Sequence, residues 1–228
     1  MIGDVVEWLA DPANWSGEAG VLNRLLEHTL LTVVALLVAM VVGLPVAIWL
    51  GHRRKLGTLA VNISNIGRAI PIVALLSLLA LGFLGSDDFG AFGRAGLATL
   101  VTLALFALPP IITNAYVAVS EVDDDLLEAA RGMGMDERQV LRRVELPVAM
   151  PLIVSGVRLA VVQVWATATV AALVAGPGLG RIITHGYDSN RPAEVIAGSL
   201  IVAVIALALE GLMALLQRSL DPVPAGSR

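Results

Sequence analysis

The sequence predicts an all-α membrane protein, a single domain of residues 1–228 with about five transmembrane helices. Of the 228 residues, 57% are hydrophobic and the mean hydropathy is +0.83, whereas soluble domains contain about 45–50% apolar residues. The apolar residues are grouped in runs of about 20, long enough to cross a hydrocarbon core of about 30 Å as helices. Residues 121–151 interrupt this pattern with eight acidic and four basic residues, so they predict a folded loop outside the hydrocarbon.

Residues 1–20 precede the first apolar run. They contain acidic residues but no Lys or Arg, so they lack the positive start of a secretory signal peptide. Residues 2–10 suit a short interfacial helix with Trp8 at the headgroup level, which Asp11 and Pro12 would end. The alternative is an acidic tail without fixed structure.

Five apolar runs are predicted to span the membrane. The basic cluster 52–55 follows the first run, and nine Lys or Arg residues lie on the side of this cluster and of residues 121–151, against four on the opposite side. Positive charge concentrates in cytoplasmic loops, so we expect the N-terminus outside and the C-terminus inside. The predicted spans are residues 29–50, 65–84, 95–119, 152–174 and 195–216.

The third span contains Pro109-Pro110, which supply no backbone N–H and are therefore predicted to break the helix's ladder of backbone hydrogen bonds. At membrane depth, neighbours or water must satisfy the freed carbonyls. Asn114 lies about one turn further on. Two interpretations stay open, a kink that serves packing and a bend that lines a translocation path.

The fourth span contains Arg158, seven residues after Pro151, or about 10 Å along a helix. A charge at this depth usually faces protein or water and has a partner, so we expect a structural ion pair with Glu210 of the fifth span or with a loop carboxylate. The candidates for a translocation path are Pro109, Asn114, Arg158, Trp165, Thr167 and Thr169.

Residues 121–151 read EVDDDLLEAARGMGMDERQVLRRVELPVAMP and predict two short helices. Gly134 suits a left-handed helix end, and the second helix is predicted to stop before Pro147, because the residue before a proline avoids the helical conformation. Two residue pairs have the spacing of capping boxes, Asp125 with Glu128 and Asp136 with Gln139. The predicted apolar side of the first helix consists of Leu126, Leu127, Ala130 and Met133.

Several kinds of site are not expected from this composition. There is no cysteine, and the three histidines at 28, 52 and 185 are far apart, so we expect no metal site and interpret the histidines as interfacial or loop residues. The single lysine, Lys55, follows no phosphate-binding glycine loop. The net charge of −4 gives no reason to expect nucleic-acid binding. We therefore expect no enzyme activity and no bound cofactor in this chain.

Five spans without an internal repeat do not divide into two equal halves. Transporters with alternating access generally move two related halves about a central site. If the chain is a transporter, its second half is therefore another subunit, a copy or a paralogue, related by a two-fold axis along the membrane normal. The translocation path then lies between the two subunits.

The loop also contains a longer pattern: Glu128-Ala129-Ala130, three residues, Gly134, nine residues, Val144, one residue, Leu146-Pro147. This order resembles the EAA loop of the permease subunits of binding-protein-dependent ABC importers, with Val144 where isoleucine is commoner. The resemblance implies a cytoplasmic coupling helix that docks in a cleft of an ATPase subunit. Glu128 would bind a basic group of the ATPase, and Ala129 and Ala130 would allow close approach. Gly134 would fix the turn, and Leu146-Pro147 would pass the motion to the fourth span.

Further stretches resemble the osmoprotectant permeases of this family, which import glycine betaine, carnitine, choline or proline betaine. They are RAIP at 68–71, ALP at 107–109, NAY at 114–116 and ATAT at 166–169, whereas Pro177 and HGY at 185–187 depart from the family pattern. The resemblance implies two ATPase subunits that hold ATP and Mg, a second permease subunit and a place in the bacterial cell membrane. It also implies an extracytoplasmic binding protein that docks near residues 85–94 and 176–194.

Two alternatives remain open. A permease for methionine or another amino acid would share the five spans and the type of loop. An ion channel or ion-coupled carrier that works without ATP usually has charges in mid-membrane, whereas the charges here lie near span ends, apart from Arg158. Quaternary ammonium groups are recognised by aromatic cages, and the aromatic residues of this chain are too scattered to predict one. We therefore expect the cage in the separate binding protein.

Overall fold

The computed structural model describes residues 1–54, 62, 69–82, 84, 92–93 and 95–220. Every regular element in these residues is helical, which confirms the all-α class. The α-helices are α1 (Ile2–Ala10), α2 (Val21–His52), α3 (Ile72–Leu81), α4 (Gly96–Ser120), α5 (Asp124–Gly132), α6 (Glu137–Val140), α7 (Leu146–Ala168), α8 (Gly180–Asp188) and α9 (Pro192–Leu220). A π turn, Leu141–Glu145, joins α6 to α7, and 3₁₀ segments cover Pro12–Asn14 and Thr169–Val174.

Four helical segments in the described residues are long and apolar enough to cross a membrane. They are Val21–His52, Gly96–Ser120, Glu137–Val174 and Pro192–Arg218. The remaining predicted span, residues 65–84, contains the ten-residue apolar helix α3, while residues 65–68 and 83 lie outside the described part. Most of the predicted docking loop at 85–94 lies outside it as well.

The core of the bundle is formed by α2, α4 and α7, which pack through small side chains. Ala35, Ala107 and Ala160 are completely buried between them. A Cβ on Gly156 of α7 would lie 2.6 Å from Cβ of Asn114 on α4, so a larger residue does not fit there. Small residues let apolar helices approach closely, which is how helices associate inside a membrane. We call the end of the bundle that carries residues 121–151 the loop end, and the opposite end the far end.

The helix α9 lies at the edge of this bundle. Only 6% of its most apolar 18-residue window is buried, against 56% for α4. Large apolar side chains such as Leu207 and Leu215 are therefore exposed on it. This surface is available to lipid or to another subunit.

The predicted break in the hydrogen-bond ladder of the third span is present at Pro109-Pro110, and a neighbouring helix compensates for it. The helix α4 continues through both prolines. Pro110 leaves the carbonyl of Phe106 without its usual intrahelical donor, and the side-chain amide of Gln163 on α7 donates to that oxygen at 3.4 Å. The neighbouring helix thus supplies the missing hydrogen bond, as an interrupted ladder in a membrane requires.

The predicted helix end before Pro147 is wrong. The chain passes from α6 into α7 through the π turn, in which the N–H of Leu146 donates to the carbonyl of Leu141, five residues back. Such local widening of the helix accommodates a proline inside a membrane helix. Residues 137–174 therefore form one continuous helical segment that starts in the loop and enters the bundle.

The N-terminal segment forms the helix that the first of its two interpretations predicts. The helix α1 ends where expected, and the Asp11 side chain accepts a hydrogen bond from the N–H of Ala13 at 2.9 Å. Indole Nε1 of Trp15 donates to the carbonyl of Leu9 at 2.8 Å. Trp8 packs against a buried cluster that includes Val21 and Trp165, so α1 is folded onto the far end of the bundle.

Candidate functional site

The loop 121–151 folds around a small core of its own. Four buried side chains form it, Val122, Leu127, Ala130 and Val140, and Met135 and Val144 pack against them. Of the four residues predicted to form the apolar side of the first helix, Leu127 and Ala130 are buried, whereas Leu126 is 43% exposed and Met133 is 73% exposed. The helix α5 has just nine residues and turns a single narrow side to this core. We call four exposed residues of this helix and its C-terminal cap the α5 surface: Leu126, Glu128, Ala129 and Met133.

The caps of the two loop helices differ in how well the sequence predicted them. The capping box of Asp136 and Gln139 is confirmed, with hydrogen bonds of 2.8 and 3.0 Å. The first helix is capped by Asp123 and not by Asp125, because the Asp123 carboxylate accepts the N–H of Asp125 at 2.9 Å. Gly134 adopts the predicted left-handed conformation, with φ +85°.

The predicted coupling residues fall into two groups in the structure. Glu128, Ala129, Gly134 and Pro147 are exposed, whereas Ala130 is buried in the loop core and has no surface to offer a partner. Val144 packs against the loop core. Leu146 packs against the next cluster, which belongs to α2, α4 and α7, and so joins the loop to the bundle.

An ion pair fixes the two loop helices to each other. Nε of Arg131 donates to Oε1 of Glu137 at 3.0 Å. This hydrogen bond, together with the charge of Glu137, raises the pKa of the Arg131 guanidinium above its ordinary value. The pair is exposed to solvent, and exposed ion pairs contribute little to stability, so we regard it as orienting the turn at Gly134.

The loop is also attached to the end of α2. His52 Nδ1 lies 2.6 Å from Glu145 Oε2, and Arg54 donates to the carbonyl of Val122 and forms an ion pair with Asp124. From the sequence, His52 is predicted to be an interfacial or loop residue, and no role is predicted for Glu145. The sequence does contain an indication of this contact, because the basic cluster 52–55 and the acidic loop have opposite charges and are predicted on the same side of the membrane.

The candidates for a translocation path do not form one site in this subunit. Trp165 and Pro109 are buried in this subunit, so in this conformation they offer no surface to a solute. The hydroxyls of Thr167 and Thr169 donate to carbonyls of their own helical segment, and the amide of Asn114 donates to the carbonyl of Pro110 at 2.7 Å.

The expected ion pair of Arg158 is confirmed. Its guanidinium contacts the Glu210 carboxylate through two nitrogens, and Nη1 donates to Oε1 of Gln217 at 3.0 Å. The pair joins α7 to α9 at the lateral surface of the bundle. It lies beside a cleft that Ser155 and Gln163 also line.

A second polar network, which is not predicted from the sequence, lies at the far end. His28 is fully buried inside α2, so its interpretation as an interfacial or loop residue is wrong. Its Nε2 lies 2.9 Å from the carbonyl oxygen of Trp165 and must donate there, and Nδ1 then accepts the N–H of Leu179 at 3.3 Å. Glu27, which pairs with Arg24, accepts the N–H of Gly178 at 2.9 Å. These bonds hold the turn before α8 against α2.

The family of the chain follows from comparison with known proteins. Residues 39–222 match the family described as the binding-protein-dependent transport system inner membrane component. The chain belongs to this family. It is therefore the permease component of a binding-protein-dependent ABC importer and a membrane-embedded, multi-pass protein, as the loop pattern indicated.

Curated relatives align with almost the whole chain. The carnitine transport permease protein OpuCD of Listeria monocytogenes is 30% identical over 96% of this chain and 95% of its own length. The choline transport system permease protein OpuBD of Bacillus subtilis is 34% identical over 89% of this chain and 86% of its own length. The osmoprotectant import permease protein OsmW of Salmonella typhimurium is 29% identical over 96% and 98%. These names confirm the resemblance to osmoprotectant permeases.

Solved structures support the fold. An inward-facing form of the MetNI methionine ABC transporter superposes with a TM-score of 0.73, covering 88% of this chain and 96% of that chain at 23% identity. An amino acid ABC transporter crystallised with histidines gives a TM-score of 0.69 at 20% identity. At these identities the likeness concerns the fold alone.

Proposed function

We propose that this permease imports a compatible solute with a quaternary amine, such as glycine betaine, carnitine, choline or proline betaine, across a bacterial inner membrane. The observation that carries the proposal is the 30–34% identity, over most of the chain, to permeases named for carnitine and choline. The scattered aromatic residues assign recognition of the ammonium group to the binding protein, and the permease then provides a weakly binding passage.

The motor in this proposal is a pair of ATPase subunits that bind the loop on the cytoplasmic side. They hold ATP and Mg, since this chain has no phosphate-binding glycine loop. Each would contact the α5 surface, where Glu128 offers a carboxylate and Leu126 and Met133 offer exposed apolar contacts. When the ATPases close, the two loops approach each other, and the helical segment 137–174 carries this movement into the membrane.

The second half of the transporter is a second permease subunit, identical or paralogous. In the membrane, the half-exposed pair of Arg158 and Glu210 is unfavourable against lipid. A second subunit, with the path between the two, would place this pair next to protein and water. The face of α7 and α9 around Arg158 is thus the proposed subunit interface.

The binding protein docks at the opposite end, on residues 176–194. The helix α8 lies in this segment and, with α1, encloses a cleft of about 480 Å³. Arg24, Arg181 and Arg191 line the cleft together with Asp188 and Glu194. The cleft therefore carries both positive and negative side chains, which suits contact with a polar surface of the binding protein.

Uptake into proteoliposomes tests the proposal. The permease is reconstituted with its ATPase and binding protein, and uptake of labelled glycine betaine, carnitine, choline and methionine is compared, with and without ATP inside. We expect ATP-dependent uptake of at least one quaternary amine, and stimulation of ATP hydrolysis by the same compound. Uptake of methionine alone would instead support the alternative, an amino-acid permease.

A further inference from the structure

The end of α2 contacts the loop through a buried carboxylate that the transport scheme does not use. Glu145 lies in the π turn and is 1% exposed. His52, the last residue of α2, meets it across 93 positions of sequence, with 2.6 Å between Nδ1 and Oε2. A carboxylate accepts hydrogen bonds and does not donate them, so Nδ1 carries the proton. A buried carboxylate is unfavourable without such a partner.

The imidazole of His52 also faces the second loop helix. Its Nε2 lies 3.7 Å from Oε2 of Glu137, and only 13% of the His52 side chain is exposed. One ring therefore contacts α6 and the π turn at once. Two residues further on, Arg54 reaches the start of α5 through Asp124 and the carbonyl of Val122.

Next to the pair of His52 and Glu145, the backbones of α2 and α4 are closely packed. A Cβ on Gly51 of α2 would lie 2.9 Å from Cβ of Val119 and 3.0 Å from the carbonyl oxygen of Tyr116, both on α4. The helix α4 ends at Ser120, immediately before the loop. The end of α2, the end of α4 and the loop therefore form one packed block.

We propose that His52 is a positioning residue that joins α2 to the coupling loop through Glu145. A movement of the loop then reaches α2 as well as α7, and the core of the bundle moves as a unit. The helix α7 receives the movement covalently, through the π turn, whereas α2 receives it through side-chain contacts. The inference rests on the proposed function, because an ATPase must move the loop.

The test measures solute uptake per ATP hydrolysed by the complete transporter in proteoliposomes. His52→Ala alone leaves Glu145 buried without its partner, so we expect less assembled complex. The decisive variant is His52→Ala with Glu145→Ala, which removes the pair and leaves no unpaired charge. We expect this double variant to assemble and to hydrolyse ATP in response to the binding protein, but to give about five-fold less uptake per ATP.

Two further variants serve as controls. Arg53→Ala removes an exposed cation from the same turn without touching the pair, and uptake per ATP should stay at the wild-type value. His52→Asn places an amide nitrogen as many bonds from Cα as Nδ1 is, so it should keep most of the coupling.

The outcomes separate this inference from the proposed function. A double variant that assembles and transports with wild-type coupling would overturn the positioning role, because the pair would then serve stability alone. Failure of the double variant to assemble would contradict it as well. Absence of ATP-driven uptake by the wild-type complex would instead show that the proposed function is wrong, and the inference would fall with it.

Discussion

Gly134 shows how one residue sets the geometry of the loop. Its φ of +85° lies in the left-handed region, and a Cβ built there would meet no atom within 4 Å. Backbone conformation, and not crowding, therefore requires glycine at this turn. For a residue with a side chain, this conformation costs roughly 1–2 kcal/mol.

Gly134→Ala should lower the free energy of unfolding of the permease by about 1 kcal/mol. Gly132→Ala is the matched control, because a Cβ at Gly132 also meets open space while its φ is not positive. Alanine is the better helix former, so Gly132→Ala should be neutral or stabilising by up to about 1 kcal/mol. Thermal unfolding of the purified protein in detergent measures both changes. Equal destabilisation by the two substitutions would contradict this account of the turn.

The residues that the sequence predicted correctly are those whose conformation is decided locally. Gly134 and the capping box of Asp136 are examples, because their partners lie within a few positions. The partner of His28 is 137 positions away and that of His52 is 93 positions away. No local pattern specifies such pairs, so neither partner was predicted. The pair of Arg158 and Glu210 was anticipated because a charge within a membrane span needs a partner.

Among the elements, the helices of the bundle were predictable from hydropathy, whereas the group that replaces a hydrogen bond lost at a proline was not. Proline has no N–H at any depth, but whether a helix ends there depends on what replaces the lost bond. At Pro110 the replacement is Gln163 of another helix. At Pro147 the helix continues because the backbone widens into the π turn of residues 141–145. Neither solution is visible in a window of sequence around the proline.

The π turn sets the rotation of the loop relative to α7. Deletion of Arg143, an exposed residue of this turn, would shift the loop by about 1.5 Å and rotate it by about 100° relative to α7. Glu137, on the loop side of the deletion, would then no longer face Nε2 of His52. We expect the deletion variant to insert in the membrane and to lose ATP-dependent uptake. Arg143→Ala keeps the length of the turn and should transport, and loss of uptake by this control would attribute the effect to the arginine itself.

The molecule as a whole has one membrane face that is poorly suited to lipid. The side chains of Arg158 and Glu210 are 29% and 41% exposed, beside a cleft of about 380 Å³ between α7 and α9. Charged groups in a membrane span almost always face protein or a water-filled cavity. Because α9 contributes few buried residues to its own subunit, the rest of its surface is free for lipid.

Crosslinking distinguishes these two surfaces. A photoreactive amino acid at Leu159, which is 53% exposed and lines the cleft, should crosslink to a second permease subunit in the assembled transporter. Leu212 of α9 is the matched control, since it is 57% exposed but lies about 200° around the helix from Glu210. From that position we expect no crosslink to a permease, because lipid covers it. The mass of the product identifies the partner as a copy or a paralogue, and a crosslink from Leu212 with none from Leu159 would place the interface on the other side of α9.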